Sequence, residues 1–148
     1  MEHRSILEKL ATLDQPDHNL DTAIYATCQG FKYDQDEDGK YRFFQGGRWV
    51  KPGEQYPDSG QFVLCPIPEY TRQWSDAVSV IPYPWRISRL WESDRKGLTS
   101  FWSVEIGGVV TFRDDLETTE KSVVLSAGGF RLPTIAICFV GLQARALI

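Results

Sequence analysis

The sequence predicts an α+β fold, in which helices pack on the faces of an antiparallel β-sheet as an α-β-α layered sandwich. Two observations carry this prediction. Segments with apolar residues at helical spacing are interspersed with strand-like segments, and the consecutive strand-like segments are joined by short turns, which favours antiparallel neighbours. A chain of 148 residues has the length of one domain, so residues 1–148 are predicted to form a single unit.

Two short helices are predicted at the start of the chain. Ser5 and Glu8 match a capping box, in which a hydroxyl and a carboxylate satisfy backbone donors at a helix start, and this helix ends near Asp14. A second helix covers residues 17–29 or 19–29, because its apolar residues recur at helical spacing and Gly30 is a natural C-terminal stop.

The next segment, 31–44, predicts a β-hairpin. The sequence FKY is followed by the acidic turn DQDEDG and then by KYRFF, with Gly39 in the left-handed turn position. Residues 51–60 are rich in Pro, Gly and polar residues, which is typical of a surface loop. Residues 61–67 then predict a strand that is closed by prolines.

A third helix is predicted to begin at Thr71 as its N-cap and to end before Pro82. Strands follow at 85–92, 101–108 and 109–113, with Gly107 and Gly108 as a hairpin turn, and a further strand covers 122–127. Gly128 and Gly129 are expected to turn the chain into the last helix. One side of the third helix carries Trp74, Ala77, Val78 and Ile81, and one face of the strand at 101–108 carries Trp102, Val104 and Ile106.

The C-terminal segment, 132–148, predicts a helix that is apolar on nearly every side. Such a helix must be covered on more than one face, so it is either a central strut or an oligomer interface. Gly141 lowers helix propensity by about 1 kcal/mol relative to Ala, which indicates close approach by another backbone, of the same sheet or of a second subunit. The apolar end 146–148 favours the second subunit. A narrow stripe of small or polar residues runs along this helix through Thr134, Cys138, Gly141 and Arg145.

Three segments carry a family resemblance: LDTAIYATCQGF at 20–31, IPEYTRQWSDAVSVIP at 67–82, and PTIAICFVGLQARAL at 133–147. In this order they resemble the phage ABA-sandwich domain family and its NinX-like relatives, small proteins encoded by bacteriophages and prophages. The chain departs from the family pattern at Leu132, where members usually carry a Thr before the proline that opens the helix. The resemblance implies an α-β-α sandwich and a phage or prophage source, and it implies no enzyme activity.

The composition excludes several classes of protein. A net charge of −4 and a pI near 5.2 argue against nonspecific binding of duplex nucleic acid. Cys28, Cys65 and Cys138 are far apart in apolar segments, which is typical of buried thiols in a reducing cytosol. The absence of a CxxC pair argues against zinc, and no other cofactor is indicated. The sequence predicts neither a signal peptide nor a membrane span, which favours a soluble, cytosolic protein. The phage resemblance implies that this cytoplasm is that of a host cell.

A ligand pocket is predicted from arginines interleaved with tryptophans in the strands. Alternation in WRISRLWE puts Arg89 on the same face as Trp85, Ile87 and Trp91. A guanidinium on an apolar face requires a carboxylate or a ligand, and such residues can stack a base and pair with a phosphate. The alternative interpretation is a structural ion pair with Glu92, Glu105 or Asp76. The predicted ligand-binding residues are Arg86, Arg89, Trp91, Trp102 and Arg145.

The acidic turn offers a weaker metal candidate. Asp34, Asp36, Asp38 and Gly39 reproduce the start of a calcium loop, D-x-D-x-D-G. The twelfth position is Gln45 instead of a bidentate Glu, and the flanks read as strands, so the alternative is a solvated hairpin turn. No metal is therefore predicted.

No catalytic motif is evident, and the chain is predicted not to be an enzyme. Both histidines fall within the first eighteen residues, and paired carboxylates fall in polar turns. The leading hypothesis is a non-enzymatic phage binding protein that sequesters a small nucleotide immune signal, with the ligand held between the subunits of a homo-oligomer. The alternative is a protein-binding inhibitor whose acidic surface blocks a basic host enzyme. A minor hydrolase that works through carboxylates ranks last.

Overall fold

The computed structural model describes residues 2–53, 66–94 and 100–148. Helices pack against two three-stranded antiparallel sheets, so the predicted α+β class is confirmed. The helices are α1 (Glu2–Thr12), α2 (His18–Gln29), α3 (Trp74–Ser79) and α4 (Pro133–Arg145). The strands are β1 (Tyr33–Gln35), β2 (Tyr41–Gln45), β3 (Arg48–Val50), β4 (Arg86–Asp94), β5 (Ser100–Arg113) and β6 (Thr118–Phe130).

The first two helices differ in how well the sequence predicts their starts. α1 begins at Glu2, so Ser5 lies inside the helix and the predicted capping box is wrong. Glu8 instead pairs with Arg4, one turn away at 3.1 Å. The prediction for α2 is confirmed. The Asp17 side chain accepts a hydrogen bond from the Leu20 amide, and Gly30 ends the helix at a φ of 76°.

The predicted hairpin forms the first two strands of a small sheet, with the order β1-β2-β3. Gly39 adopts a φ of 79° in the turn, as expected for a residue without a Cβ. The third strand, β3, is an addition to the prediction. Gly46 and Gly47 have φ values of 62° and 79°, and such a two-residue turn matches the twist of the flanking strands, so the chain folds straight back after β2.

The large sheet has the order β4-β5-β6, but its strand boundaries differ from the prediction. The residues 101–108 and 109–113 form one continuous strand, β5, so the predicted turn at Gly107 and Gly108 is wrong. The hairpin turn lies instead at 114–117, where the Asp114 carboxylate accepts hydrogen bonds from two backbone amides. β6 extends through Gly128 and Gly129 to Phe130 before the chain turns into α4.

The two sheets pack against different helices. α2 packs on β1 and β2, α1 contacts both α2 and α4, and α4 packs on β5 and β6 and contacts α3. The N-terminal hairpin and β3 form a small sheet of their own instead of joining the large one. No described helix is long and apolar enough to cross a membrane.

The helix α4 is the centre of the core, as its composition predicts. Nine of its residues are buried, and they face β5 and β6 on one side and α1 and α3 on the other. The close approach predicted at Gly141 is intramolecular. A Cβ at this position would lie 2.9 Å from Val80 Cγ1 and 3.1 Å from the Ile81 nitrogen, so the partner is the end of α3 and not a strand.

The segment before α3 is a turn and not a helix start. α3 begins at Trp74, with Gln73 in the N-cap position and no side-chain cap, so the prediction that Thr71 caps this helix is wrong. The loop predicted at 51–60 and the strand predicted at 61–67 fall mostly on 54–65, outside the described residues. Ile67 is buried in the core and lies outside any strand.

Candidate functional site

The predicted ligand residues do not converge on one pocket, and Arg145 has a structural role. Its Nε donates a hydrogen bond to the Val80 carbonyl at 2.7 Å, and its Nη2 donates to the Ser79 carbonyl at 3.3 Å. These carbonyls lie at the C-terminal end of α3, where backbone acceptors lack intrahelical partners and a cation is favoured. Arg145 therefore caps α3.

The rest of the predicted stripe on α4 faces the same segment of chain. The Thr134 hydroxyl donates to the Thr71 carbonyl at 2.7 Å, and the Cys138 thiol lies 3.4 Å from the Tyr70 carbonyl. Together with the contact at Gly141, the stripe forms the surface on which residues 70–81 pack. Small and polar side chains are required there because the backbone comes close and its carbonyls need donors.

Arg89 and Trp91 lie on the opposite face of the large sheet from α4. A β-bulge separates Ile87 from Arg89, and this extra residue reverses the alternation that follows it. The prediction that Arg89 shares a face with Ile87 is therefore wrong. The Arg89 guanidinium lies over the Trp91 ring, 4.3 Å from its centroid, which is a favourable cation–π geometry.

Trp102 lies at a third place. It pairs with Glu92 and with Phe130 in the sheet, and it is half-buried on the face that carries Val104 and Ile106, as the alternation predicts. Of the predicted set, Arg86 lines the aromatic groove that is described below. The five predicted residues thus lie in four different environments. Arg89 and Trp91 share one, and each of the others has its own: Arg86, Trp102 and Arg145.

The acidic turn is held by hydrogen bonds and ion pairs. Asp34 forms an ion pair with Arg42 at 2.6 Å, and Asp36 Oδ2 pairs with Lys51 at 2.7 Å. Asp36 Oδ1 accepts from the amides of Asp38 and Lys40, each at 2.9 Å. The hydrogen bond from Lys51, with those from the backbone, lowers the pKa of Asp36. Within the described ranges no three His, Cys, Asp or Glu residues group as metal ligands.

The described cysteines are free thiols in apolar surroundings. Burial raises the pKa of Cys28 and raises that of Cys138 well above its ordinary value. A raised pKa disfavours the thiolate, which is the nucleophilic form. Neither thiol is therefore prepared for nucleophilic chemistry.

An aromatic groove of about 390 Å³ lies between α3 and the start of β4. Trp74 is 50% exposed and Tyr83 is 89% exposed, so two large aromatic side chains are presented to solvent at one place. Arg86 supplies a cation at the same groove. The groove is lined by Trp74, Val78, Ile81, Tyr83, Trp85, Arg86 and Ile87.

Trp85 forms part of the groove wall. Its ring is 4% exposed and packs on Gly108, where a Cβ would lie 2.2 Å from Trp85 Cδ2. Gly108 therefore provides the space for the ring at mid-strand. Trp85 Nε1 has no acceptor among the described residues, although buried indole N–H groups usually find one.

A buried polar cluster joins α2 to the segment before α3. Asp21 is 1% exposed, and its Oδ1 accepts hydrogen bonds from both the amide and the hydroxyl of Thr71, each at 2.9 Å. Its Oδ2 lies 3.1 Å from Nδ1 of His18 at the surface. Desolvation by burial raises the pKa of Asp21, and the hydrogen bonds from Thr71 and His18 oppose this shift.

His18 lines a cavity of about 670 Å³, hereafter the His18 cavity. α2 contributes His18 and Thr22, the small sheet contributes Lys40 and Lys51, and the chain around α3 contributes Glu69 and Asp76. The sequence did not predict this cavity. The i,i+3 spacing of His18 and Asp21 was available as a signal, but the burial of Asp21 depends on Thr71, fifty residues away along the chain.

Comparison of the chain with protein-family models, with curated proteins and with solved structures gave no match.

Proposed function

We propose that the protein is a non-enzymatic binding protein of phage or prophage origin that sequesters a small nucleotide-like signal in the host cytoplasm. The observation that carries the proposal is the aromatic groove. Trp74 and Tyr83 offer exposed rings, and Arg86 offers a guanidinium beside them. A planar base can stack on such rings, and a guanidinium can pair with a phosphate in a bidentate manner.

The proposal moves the binding site from the strands to the junction of α3 and β4. Arg86 is kept from the predicted set, while Arg145 is assigned to the end of α3 and Arg89 to the ring of Trp91. The indole N–H of Trp85 is buried, so Trp85 is a wall of the groove and supplies no donor to the ligand.

Calorimetry against cyclic dinucleotides and ADP-ribose derivatives tests the proposal at protein concentrations of tens of micromolar. We expect saturable binding that is weakened about tenfold by Trp74→Ala and by Arg86→Gln, since base stacking and a charged hydrogen bond each contribute about 1–3 kcal/mol. The matched controls are Trp49→Ala on β3 and Arg113→Gln on β5, both outside the groove. Absence of heat for every compound, or equal losses in the controls, would refute the proposal.

Assembly into a homo-oligomer is part of the proposal. Ile148 is 75% exposed and Leu147 is also exposed, although both are apolar. Exposed apolar clusters favour association. Native mass spectrometry of the purified protein measures the subunit number and any retained small molecule together. A monomer without a retained compound would contradict the homo-oligomer. Any ligand would then have to bind in the groove of a single chain.

A second candidate function is a protein-binding module, and the observation that favours it is the end of the β5–β6 hairpin. Leu116 is 93% exposed at the turn, and Phe112 is exposed on the strand before it. Apolar residues at a hairpin tip are suited to insertion into a partner. A pull-down from host lysate separates the functions, because a stoichiometric protein captured by the native chain and lost with Leu116→Ser favours this module.

A further inference from the structure

We infer that the His18 cavity is a second binding site, separate from the aromatic groove, and that it takes a small zwitterion such as a short peptide with free termini. The two sites use different parts of α3: Asp76 lines the His18 cavity, while Trp74 and Val78 line the groove. The inference therefore does not depend on the proposed nucleotide ligand.

The imidazole of His18 is oriented by the buried carboxylate behind it. Asp21 Oδ1 is occupied by Thr71, so Oδ2 is left for Nδ1 of His18. An ionised carboxylate can only accept, so Nδ1 carries the proton and Nε2 of a neutral imidazole is left as an acceptor. Nε2 has no partner within the described part of the chain. The arrangement holds one ring nitrogen ready for a ligand donor.

The charges around the cavity are separated by element. Cationic side chains come from the small sheet, with Lys40 directly before β2 and Lys51 directly after β3. Lys51 is already paired with Asp36, which leaves Lys40 as the cation for a ligand. A ligand carboxylate is therefore expected beside Lys40.

The carboxylates that line the cavity come from a different part of the chain, around α3. Asp76 Oδ2 accepts a hydrogen bond from the Glu69 amide at 2.9 Å, which holds these two acidic residues together. Among the described residues, Asp76 Oδ1 has no hydrogen-bond partner, and the Glu69 carboxylate has a single long contact of 3.8 Å with Arg72. An ammonium group is complementary to these carboxylates. A ligand that carries both charges can pair with Lys40 and with the carboxylates, whereas a simple anion would bring no counter-charge to the carboxylates.

Nuclear magnetic resonance of the imidazoles tests the inference on the full chain. There are two histidines, His3 and His18, so a His3→Gln variant assigns the His18 resonances. The probes are glycine, diglycine and triglycine at millimolar concentration, with N-acetyl-triglycine amide as the uncharged counterpart. We expect at least one zwitterion to shift the His18 resonances saturably, and the uncharged peptide to have no effect.

Matched variants test the two sets of charges. Lys40→Met and Asp76→Asn should each weaken the binding of the zwitterion about fivefold, the upper end for one exposed ion pair. Asn at position 76 keeps an oxygen for the Glu69 amide. Lys121→Met and Asp115→Asn, which lie on the β5–β6 hairpin, should have no effect. An unchanged far-ultraviolet circular dichroism spectrum verifies that each variant is folded.

Three outcomes would overturn the inference: no saturable shift with any zwitterion, equal shifts with the uncharged peptide, or equal shifts with sodium acetate or inorganic phosphate alone. The last outcome would define an anion site instead. Nucleotide calorimetry at the aromatic groove is a separate measurement, so failure at one site is distinguishable from failure at the other.

Discussion

Arg145 is a residue whose role depends on a distant part of the chain. Its guanidinium binds carbonyls at the end of α3, sixty-five residues earlier in the case of Val80. Arg145→Gln should therefore lower the free energy of unfolding by about 1 kcal/mol, as expected for the loss of hydrogen bonds that are partly exposed to water. Urea titration measures this change.

The binding experiments verify the role of Arg145. Because it lies outside the groove lining, Arg145→Gln should leave nucleotide affinity within about twofold of the native value. Arg113→Gln serves as the stability control, since Arg113 is exposed at the end of β5. A large loss of nucleotide affinity with an unchanged free energy of unfolding would indicate that Arg145 contacts the ligand.

The raised pKa of Asp21 predicts that the stability of the protein depends on pH. Its pKa is raised above 3.8, chiefly by burial, so the folded chain binds this proton more tightly than the unfolded chain. Its contribution to stability is therefore most favourable below about pH 3.8 and becomes less favourable as the pH rises through the folded-state pKa. Asp21→Asn removes the charge and keeps an acceptor for Thr71. The stability of this variant relative to the native protein should rise as the pH increases from below 3.8 through the folded-state pKa.

Asp114 provides a control of opposite sign. Backbone hydrogen bonds from Leu116 and Glu117 lower its pKa, so its favourable contribution is present above the unfolded pKa and is lost as the pH falls. Asp114→Asn should therefore become less stable relative to the native protein as the pH rises from the lowered folded-state pKa through 3.8. Parallel curves for both variants and the native protein in urea titrations would contradict these assignments.

At the scale of elements, β5 shows how a glycine pair misleads sequence analysis. Two adjacent glycines usually mark a turn between strands. Gly107 and Gly108 instead lie within a fourteen-residue strand, and Gly108 is required because the ring of Trp85 covers it. The partner ring comes from a different element, so spacing along β5 contains no signal for this role.

Substitution of the two glycines separates the packing effect from the strand effect. Gly108→Ala should lower the free energy of unfolding by about 1–3 kcal/mol, since its Cβ would overlap Trp85. Gly107→Ala should leave stability unchanged or raise it by up to about 1 kcal/mol, because nothing lies within 4 Å of that Cβ and the backbone entropy loss is smaller. Chemical denaturation followed by tryptophan fluorescence measures both. Equal effects would refute the packing argument.

The bulge in β4 has a larger consequence for the candidate site. The one extra residue between Ile87 and Arg89 moves Arg89 and Trp91 to the face away from α4. Strict alternation predicts the opposite arrangement. A bulge depends on how two strands pair, and Ser88, the additional residue, is held by hydrogen bonds from its hydroxyl to the carbonyl and carboxylate of Glu105. The prediction that Ile87 shares a face with Arg89 and Trp91 was therefore wrong.

At the scale of the whole molecule, α4 links the two parts of the fold. Its apolar sides face the large sheet and α1, and its stripe of small and polar residues faces the chain between Tyr70 and Ile81. The helix ends at Arg145, and Leu147 and Ile148 lie beyond it and are exposed. These last residues belong to the surface and not to the core.

Deletion of Leu147 and Ile148 tests what they do. Because both are exposed in the single chain, their removal should lower the free energy of unfolding of the monomer by less than about 1 kcal/mol. If they contribute to a homo-oligomer, the same deletion should reduce its population in native mass spectrometry. Gln143→Ala, on the same helix, is the control. A collapse in thermal stability would show that the chain end is part of the core.

The sequence by itself determined the α+β class, the extent of α2, the first hairpin and the buried α4. Each of these depends on local periodicity and on Gly or capping signals that neighbouring residues supply. The roles of Arg145, Thr71 and Gly108 were decided by the tertiary structure, as were the aromatic groove and the His18 cavity. The physical reason is that a side chain's partner across space determines whether it caps, packs or binds, and that partner is dozens of residues away along the chain.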